Sequence, residues 1–152
     1  MKLPLGFEFK EEMAGTWTPP DGGPERTIRF SLRASADDLA RYLRDHTVTL
    51  RGTLEAEGLA QHAPAEGTMM IAPLTQGVIR YELAFTGDDG HPYRLQGQKN
   101  VKLTDLHGTM TTLPASILKV EAGSEVGRAV LRFDVRNDLL SFLRSWKPVV
   151  AS

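Results

Sequence analysis

Cysteine is absent from the whole sequence. Its absence excludes a disulfide framework, thiolate metal ligands and a cysteine nucleophile. Long apolar runs are absent too, since no stretch approaches the ~20 consecutive apolar residues that a membrane-spanning helix needs. We therefore expect no membrane span.

An excess of charge of one sign is also lacking, because 18 basic residues nearly balance 19 acidic ones and give a formal net charge of -1. The lysines and arginines are spread along the chain and form no cluster. Proteins that bind the phosphate backbone of nucleic acids concentrate positive charge on one surface. The composition therefore predicts that the protein has no nucleic-acid partner.

The remaining composition is that of an ordinary globular protein, with 41% apolar and 24% charged residues. A length of 152 residues suits a single domain, which we place over residues 1–152. Residues 1–6 contain one lysine and no apolar run of the kind found in secretory signal peptides. The sequence therefore predicts a soluble, cytoplasmic protein of one domain.

Apolar and polar side chains alternate with a period of two along most of the chain, as they do in half-buried strands. The clearest pair covers residues 78–86 and 93–103, and the segment between them is rich in Gly and Asp, which is typical of a hairpin. Residues 67–74 are apolar on both faces and predict another strand. With about eight strands joined by short turns, we predict an all-β antiparallel meander that forms a lipocalin-like barrel or a bent sandwich.

One short phrase occurs twice in the chain. Arg-Phe-Ser-Leu-Arg at 29–33 returns as Arg-Phe-Asp-Val-Arg at 132–136, and Asp-Leu-x-x-aromatic-Leu-Arg follows at 38–44 and again at 138–144. The first part alternates like a strand, and the second spaces its apolar residues like a short amphipathic helix. We therefore predict an internal strand–helix repeat that supplies two short helices. The helix faces expected to be buried are Leu39/Tyr42/Leu43 and Leu139/Phe142/Leu143.

Alternation also fixes the expected register of the hairpin, because a slip by one residue would turn every apolar side chain outward. Tyr81 should lie opposite Gly97, where its ring covers the bare glycine backbone. Ile79 should then lie opposite Lys99. This places a lysine on an otherwise apolar face.

A second charge intrudes on an apolar face near the start of the chain, where Glu11 shares the phase of Phe9, Met13 and Trp17. A lone inward charge is costly, so Glu11 and Lys99 should pair, with their charged atoms within about 4 Å of each other. Two interpretations are open. The pair is a structural ion pair, or it is a polar contact that orients a ligand in an apolar pocket.

Several short motifs, taken in order, carry a resemblance to a known family. They are Phe9-x-Glu11-x-Met13-x-Gly15, Asp38-Leu39, Arg80-Tyr81-x-Leu83-x-Phe85 before Asp89-Gly90, Leu95-x-Gly97-x-Lys99-x-Val101, and Thr111-Thr112-Leu113. The chain resembles the small accessory segment found in some large bacterial GMC-type (cholesterol-oxidase-like) flavoproteins. It lacks a GxGxxG fingerprint, so the resemblance implies neither flavin nor oxidase activity. It implies an accessory module with lipid or sterol association and an oxidoreductase partner.

From these observations we predict a non-enzymatic accessory module that binds an apolar or amphipathic small molecule, lipid- or sterol-like, in a barrel cavity. No cofactor or metal is expected, since the four histidines lack the spacing of metal ligands. Two alternatives stay open: a structural or interaction module with a packed core that partners an enzyme, and a small enzyme using Lys99 and Glu11 as base and acid. The oligomeric state is also left open. The predicted ligand-binding residues are Glu11, Lys99, Phe9, Met13, Trp17, Met69, Tyr81, Leu83, Phe85 and Tyr93.

Overall fold

The computed structural model describes residues 4–71, 77–133 and 147–150. Antiparallel strands dominate these ranges, and two short α-helices and a single 3-10 turn, Leu103–Asp105, complete them. The strands are β1 (Pro4–Thr18), β2 (Arg26–Ala36), β3 (Thr47–Ala56), β4 (Ala60–Ile71), β5 (Val78–Thr86), β6 (Pro92–Asn100), β7 (Thr112–Lys119), β8 (Ser124–Arg132) and β9 (Lys147–Val150). The helices are α1 (Leu39–Asp45) and α2 (Leu106–Thr111).

The first eight strands form a closed antiparallel barrel. Each pairs with the next along the chain, and β8 pairs back with β1, where Ala14 lies opposite Arg132 and Thr18 opposite Arg128. The start of β1 pairs instead with β9. The predicted all-β meander is therefore confirmed, and the closed ring identifies a barrel and not a bent sandwich. Closure leaves none of the eight strands as a free edge.

The two ends of the barrel differ. Turns at 19–25, 57–59, 87–91 and 120–123 connect the strands at one end, which we call the turn end. The connections that carry α1 and α2 lie at the opposite end, which we call the helix end. None of the helices in the described ranges is long and apolar enough to cross a membrane.

The β5–β6 hairpin adopts the predicted register. Tyr81 lies opposite Gly97, and Ile79 lies opposite Lys99. In the connecting turn the Asp89 side chain accepts a hydrogen bond from the backbone N–H of His91 at 3.0 Å, and Gly90 has a φ of 80°. A glycine takes this left-handed conformation without the strain that a side chain would add.

The inward positions of the strands form one apolar core. The largest fully buried side chains are Phe30, Met13, Ile28, Leu50, Leu54, Leu83, Leu95, Leu113, Ile117, Leu131 and Val48. Two walls, β4 and β8, contribute several small residues beside the larger Met69 and Leu131, and in a ring of eight strands these two walls face each other. Their buried small residues are Ala60, Ala63, Ala65, Gly127 and Ala129.

Glycines permit close approach between the backbones of neighbouring strands. A Cβ atom on Gly67 would lie 1.8 Å from the carbonyl oxygen of Glu82 on β5, and a Cβ atom on Gly52 would lie 2.0 Å from the carbonyl oxygen of Ser31 on β2. Neither distance is compatible with a side chain. Interior glycines at such positions are what allow a sheet to curve into a small barrel.

The first copy of the repeat forms the predicted strand and helix. β2 contains residues 29–33, and α1 follows, with Asp38 as the N-cap whose side chain accepts a hydrogen bond from the backbone N–H of Arg41 at 3.1 Å. The prediction that Leu43 is buried is wrong, since its exposed fraction is 63%. Tyr42 of the same helix is partly buried against the core, as predicted.

The helix of the second copy falls at 138–144, outside the described residues, so its existence and its buried face remain predictions. Arg132, the first residue of that copy, is the last residue of β8. The second helix that the structure describes is α2, which the repeat does not predict. Asp105 caps it by accepting a hydrogen bond from the backbone N–H of Gly108 at 3.2 Å.

Candidate functional site

Two charged side chains lie inside the apolar barrel. Glu11 points inward from β1 and Lys99 points inward from β6, with exposed fractions of 6% and 5%, and they are the charged residues that the described part of the chain buries. Because β1 and β6 are not neighbours in the ring, the two side chains meet across the interior. The Lys99 Nζ atom lies 3.4 Å from Glu11 Oε1. The predicted pairing is confirmed.

Tyr81 completes this group, which we call the polar cluster (Glu11, Tyr81 and Lys99). Its hydroxyl donates a hydrogen bond of 2.6 Å to Glu11 Oε1, the short length expected for a bond to a carboxylate. Its ring lies under the Lys99 ammonium, with 5.2 Å from Nζ to the ring centroid, as in a cation–π contact. The sequence pattern predicts only an apolar role for Tyr81. A hydrogen-bond partner for it could have been predicted, because a buried tyrosine hydroxyl usually has one.

The electrostatics of the cluster keep Tyr81 protonated. Burial, followed by the negative charge of Glu11 and the hydrogen bond to it, raises the pKa of Tyr81 well above its ordinary value of 10.0. The phenol is therefore a fixed hydrogen-bond donor at neutral pH. Lys99 offsets the charge of Glu11, so the cluster as a whole is neutral.

Part of the hydrogen-bonding capacity of the cluster is unused by the described residues. Glu11 accepts both of its bonds through Oε1, and no described side chain donates to Oε2. The Lys99 ammonium carries three N–H donors, and within the described ranges its hydrogen-bond partner is Glu11 alone. The Glu11 side chain retains 8% of its surface exposed. One acceptor atom and two donors therefore remain for another molecule.

Aromatic side chains separate the polar cluster from the helix end of the barrel. Phe9, the next inward residue on β1, stacks on Phe7 with 6.2 Å between ring centroids. Phe7 in turn meets the edge of Tyr42 on α1 at 5.1 Å. This aromatic row covers the cluster on the side of α1.

All ten predicted ligand-binding residues are buried in the barrel, and they are spread along its length. Phe85 and Tyr93 lie toward the turn end and stack at 5.7 Å, and the Tyr93 hydroxyl donates to Asp89 of the adjacent turn at 2.6 Å. Trp17 also lies toward that end, beneath the guanidinium of Arg26 at 5.1 Å. Met69 lies beside the cluster, opposite Tyr81 on the neighbouring strand, whereas Met13 and Leu83 belong to the central core.

The indole N–H of Trp17 is a second polar feature of the interior. Its Nε1 atom is buried and has no hydrogen-bond partner, which distinguishes it from the other buried side-chain polar atoms of the described ranges. Buried donors in proteins are nearly always paired with protein or with ordered water. The interior near Trp17 therefore offers a donor to a water or ligand oxygen.

The described ranges contain no group of three His, Asp or Glu side chains placed to hold a metal ion. The polar cluster consists of one acid, one base and one phenol already bonded to each other. Such an arrangement is suited to orienting a polar group.

We expect alkaline titration to report the burial of the tyrosines, because the chain has three and the pKa of each is raised. Burial, and then the hydrogen bond to Asp89, raises the pKa of Tyr93 to about 12. Unfolded tyrosines ionise near pH 10, so the unfolded state loses these protons first and stability falls as the pH rises above about 10. The Tyr93 contribution is present below about pH 10 and is lost by about pH 12.

The measurement is tyrosinate absorbance against pH, recorded for the folded protein and for the protein in denaturant. The folded curve should lie at higher pH, and Tyr93→Phe should remove one step from it. A folded curve that coincides with the denatured one below the unfolding pH would contradict the expected burial.

Comparison with known proteins gives no family, since no known protein-family description, curated protein or solved structure matches this chain.

Proposed function

We propose that the protein binds an apolar or amphipathic small molecule, lipid- or sterol-like, inside the barrel, with the polar end of the molecule held by Glu11, Lys99 and Tyr81. The observation that carries the proposal is a charged cluster in an otherwise apolar interior, with one carboxylate oxygen to which no described side chain donates. Ligand pockets commonly combine an apolar lining with a few convergent polar groups.

Stability alone is a weak explanation of the cluster. Removing two charges from water costs several kcal/mol per ion, and replacing a buried ion pair by well-packed apolar residues is often neutral or stabilising by about 1–4 kcal/mol. Methionine, leucine and phenylalanine at these positions would extend the surrounding core. The presence of polar residues at these positions is therefore better explained by ligand binding than by a contribution to stability.

The small residues on β4 and β8 support an interior that accepts an apolar body. These strands face each other across the ring, and Ala63, Ala65, Gly127 and Ala129 are small residues at their inward positions. Eight strands enclose an interior that is either filled by side chains or holds one small ligand. Small side chains on facing walls are consistent with the second case.

We expect the purified protein to bind Nile red, an uncharged, largely apolar dye whose carbonyl oxygen can accept a hydrogen bond from Lys99, saturably and with the fluorescence increase typical of transfer out of water. The double variant Glu11→Gln/Lys99→Met should fold and bind the dye at least about tenfold more weakly, because charge-assisted hydrogen bonds contribute about 1.5–3 kcal/mol. Fluorescence titration measures both affinities. Native mass spectrometry before and after solvent extraction tests for a co-purified molecule.

The matched control is Arg94→Met/Glu82→Gln, which removes an ion pair of 3.0 Å on the outer face of the β5–β6 hairpin. It should leave dye binding unchanged. Absence of saturable binding to the wild-type protein would reject the proposed function, and equal weakening by both double variants would show that the dye is not bound at the cluster.

A second function is favoured by one observation on the outside of the barrel. A groove of about 700 Å³ crosses the outer face of β3 to β6, where Arg51, Glu66, Ala84 and Arg94 are cross-strand neighbours. An interaction module with a packed core would present such a surface to an enzyme. The resemblance to the accessory segments of GMC-type flavoproteins suggests an oxidoreductase as that enzyme.

A further inference from the structure

The arrangement of donors and acceptors in the polar cluster narrows the chemistry of its ligand. Glu11 Oε2 offers an acceptor without a donor among the described residues, and the Lys99 ammonium beside it offers two donors without acceptors. Both are attached to side chains joined by a contact of 3.4 Å. A group bound between them must donate in one direction and accept in the other.

Charged head groups satisfy only half of this requirement. A carboxylate or phosphate accepts from Lys99 but places its negative charge beside the Glu11 carboxylate, with no hydrogen to donate. An ammonium group donates to Glu11 but faces the Lys99 ammonium. In an apolar interior, where water does not screen them, like charges at such distances repel strongly.

A hydroxyl group satisfies both directions at once, because its hydrogen donates to a carboxylate oxygen and its lone pairs accept from an ammonium. We infer that the ligand of this barrel is a neutral apolar molecule that ends in a hydroxyl group, which donates to Glu11 and accepts from Lys99. The inference rests on the proposed function and adds the class of the head group.

Tyr81 strengthens this selectivity by its position. Its hydroxyl occupies Glu11 Oε1 at 2.6 Å and its ring occupies one side of Lys99, so the cluster presents one acceptor and a limited set of donors to the ligand. The neighbouring side chains of Phe9, Met13 and Phe30 are apolar and carry no hydrogen-bond donor or acceptor. A single small head group on an apolar body fits these surroundings.

The test compares dodecanol, dodecanoate and dodecylammonium, which share one chain and differ in head group. Their affinities are measured at neutral pH by displacement of Nile red and by calorimetry, below the aqueous solubility of dodecanol and the critical micelle concentrations of the two ions. Dodecanol should bind at least about tenfold more tightly than either ion, corresponding to one well-formed hydrogen bond gained or one repulsion avoided.

The variant Glu11→Gln removes the negative charge and keeps the size and the acceptor of the side chain for Tyr81. It should bind dodecanoate at least about tenfold more tightly than the wild type does, because Lys99 then faces a neutral neighbour. Circular dichroism tests whether the variant is folded. The comparison of the three compounds on the wild-type protein does not depend on this variant.

The results of these binding experiments distinguish failure of the proposed function from failure of the head-group inference. If Nile red binds and dodecanoate or dodecylammonium is preferred over dodecanol, the hydroxyl inference fails while the proposed function stands. If neither the dye nor any of the three chains binds, the proposed function fails and the head-group inference fails with it. Preference for dodecanol that survives Glu11→Gln without any gain for dodecanoate would show that Glu11 does not set the selectivity.

Discussion

Replacing Lys99 by methionine should lower the free energy of unfolding by about 3–5 kcal/mol, because it leaves the Glu11 carboxylate buried without its counter-charge. Methionine matches the length of the lysine stem, so the loss reports charge and not volume. The double variant Glu11→Gln/Lys99→Met should recover much of the loss, since both charges are gone and the Tyr81 hydroxyl retains an oxygen acceptor. Urea or guanidinium unfolding of the variants measures these differences.

Arg94→Met is the matched control, because Arg94 lies on the same strand and pairs with Glu82 at 3.0 Å on the half-exposed outer face. Its effect should stay below about 1 kcal/mol, as for other exposed ion pairs. A Lys99→Met variant as stable as this control would show that the buried charge is solvated by other means. A double variant no more stable than Lys99→Met alone would contradict the electrostatic explanation.

Gly67→Ala should destabilise the barrel by about 3 kcal/mol, the upper range for forcing extra volume into a packed site. The new Cβ atom would lie 1.8 Å from the backbone carbonyl oxygen of Glu82, which cannot move without breaking the β4–β5 ladder. Denaturant unfolding measures the loss.

Gly23→Ala in the first turn is the control for this prediction. The nearest atoms to its added methyl group are side-chain atoms at 3.6 Å, an ordinary contact distance, so its effect should be within a few tenths of a kcal/mol of zero or slightly stabilising. Equal stability of the two alanine variants would show that β4 can relax away from β5 and that the close approach is not a constraint.

The register of the β5–β6 hairpin could be predicted because its pattern is regular and its turn chemistry is strong. Once Tyr81 is placed opposite Gly97, every other pair in the ladder follows from the period of two. The meeting of Glu11 and Lys99 could also be predicted, since each breaks the apolar phase of its strand and a buried charge requires a partner.

Other elements were hidden from the sequence for physical reasons. Residues 67–74 predict a strand, whereas β4 begins at Ala60, in a stretch of alanines and polar residues with Pro64 in its middle. Such residues have little intrinsic preference for a strand, and pairing with β3 decides their conformation. Helix α2 has six residues and contains Gly108, so it is too short to show a helical period.

Within the site, the alternation of apolar and polar residues tells whether a side chain points inward or outward, but not how far it extends across the barrel. Tyr81, Glu11 and Lys99 come from three strands, and the hydrogen bond from the Tyr81 hydroxyl to Glu11 depends on how far each side chain extends across the interior. The same limit separates Tyr93 from the cluster, since its hydroxyl extends toward Asp89 in the turn. Alternation alone treats both tyrosines as equivalent wall residues.

The pairing of β1 with β8 has a consequence for how the chain acquires its structure. Ala14 and Arg132 are partners in the closing ladder although they lie near opposite ends of the chain. During synthesis, β1 to β7 can pair in order as they emerge, while one side of β1 and one side of β7 still present unpaired backbone groups. The ring can close only when β8 has been made, so closure is a late, long-range step of the slow kind that non-local strand pairing imposes. Until then the nascent sheet is open to pairing with other chains.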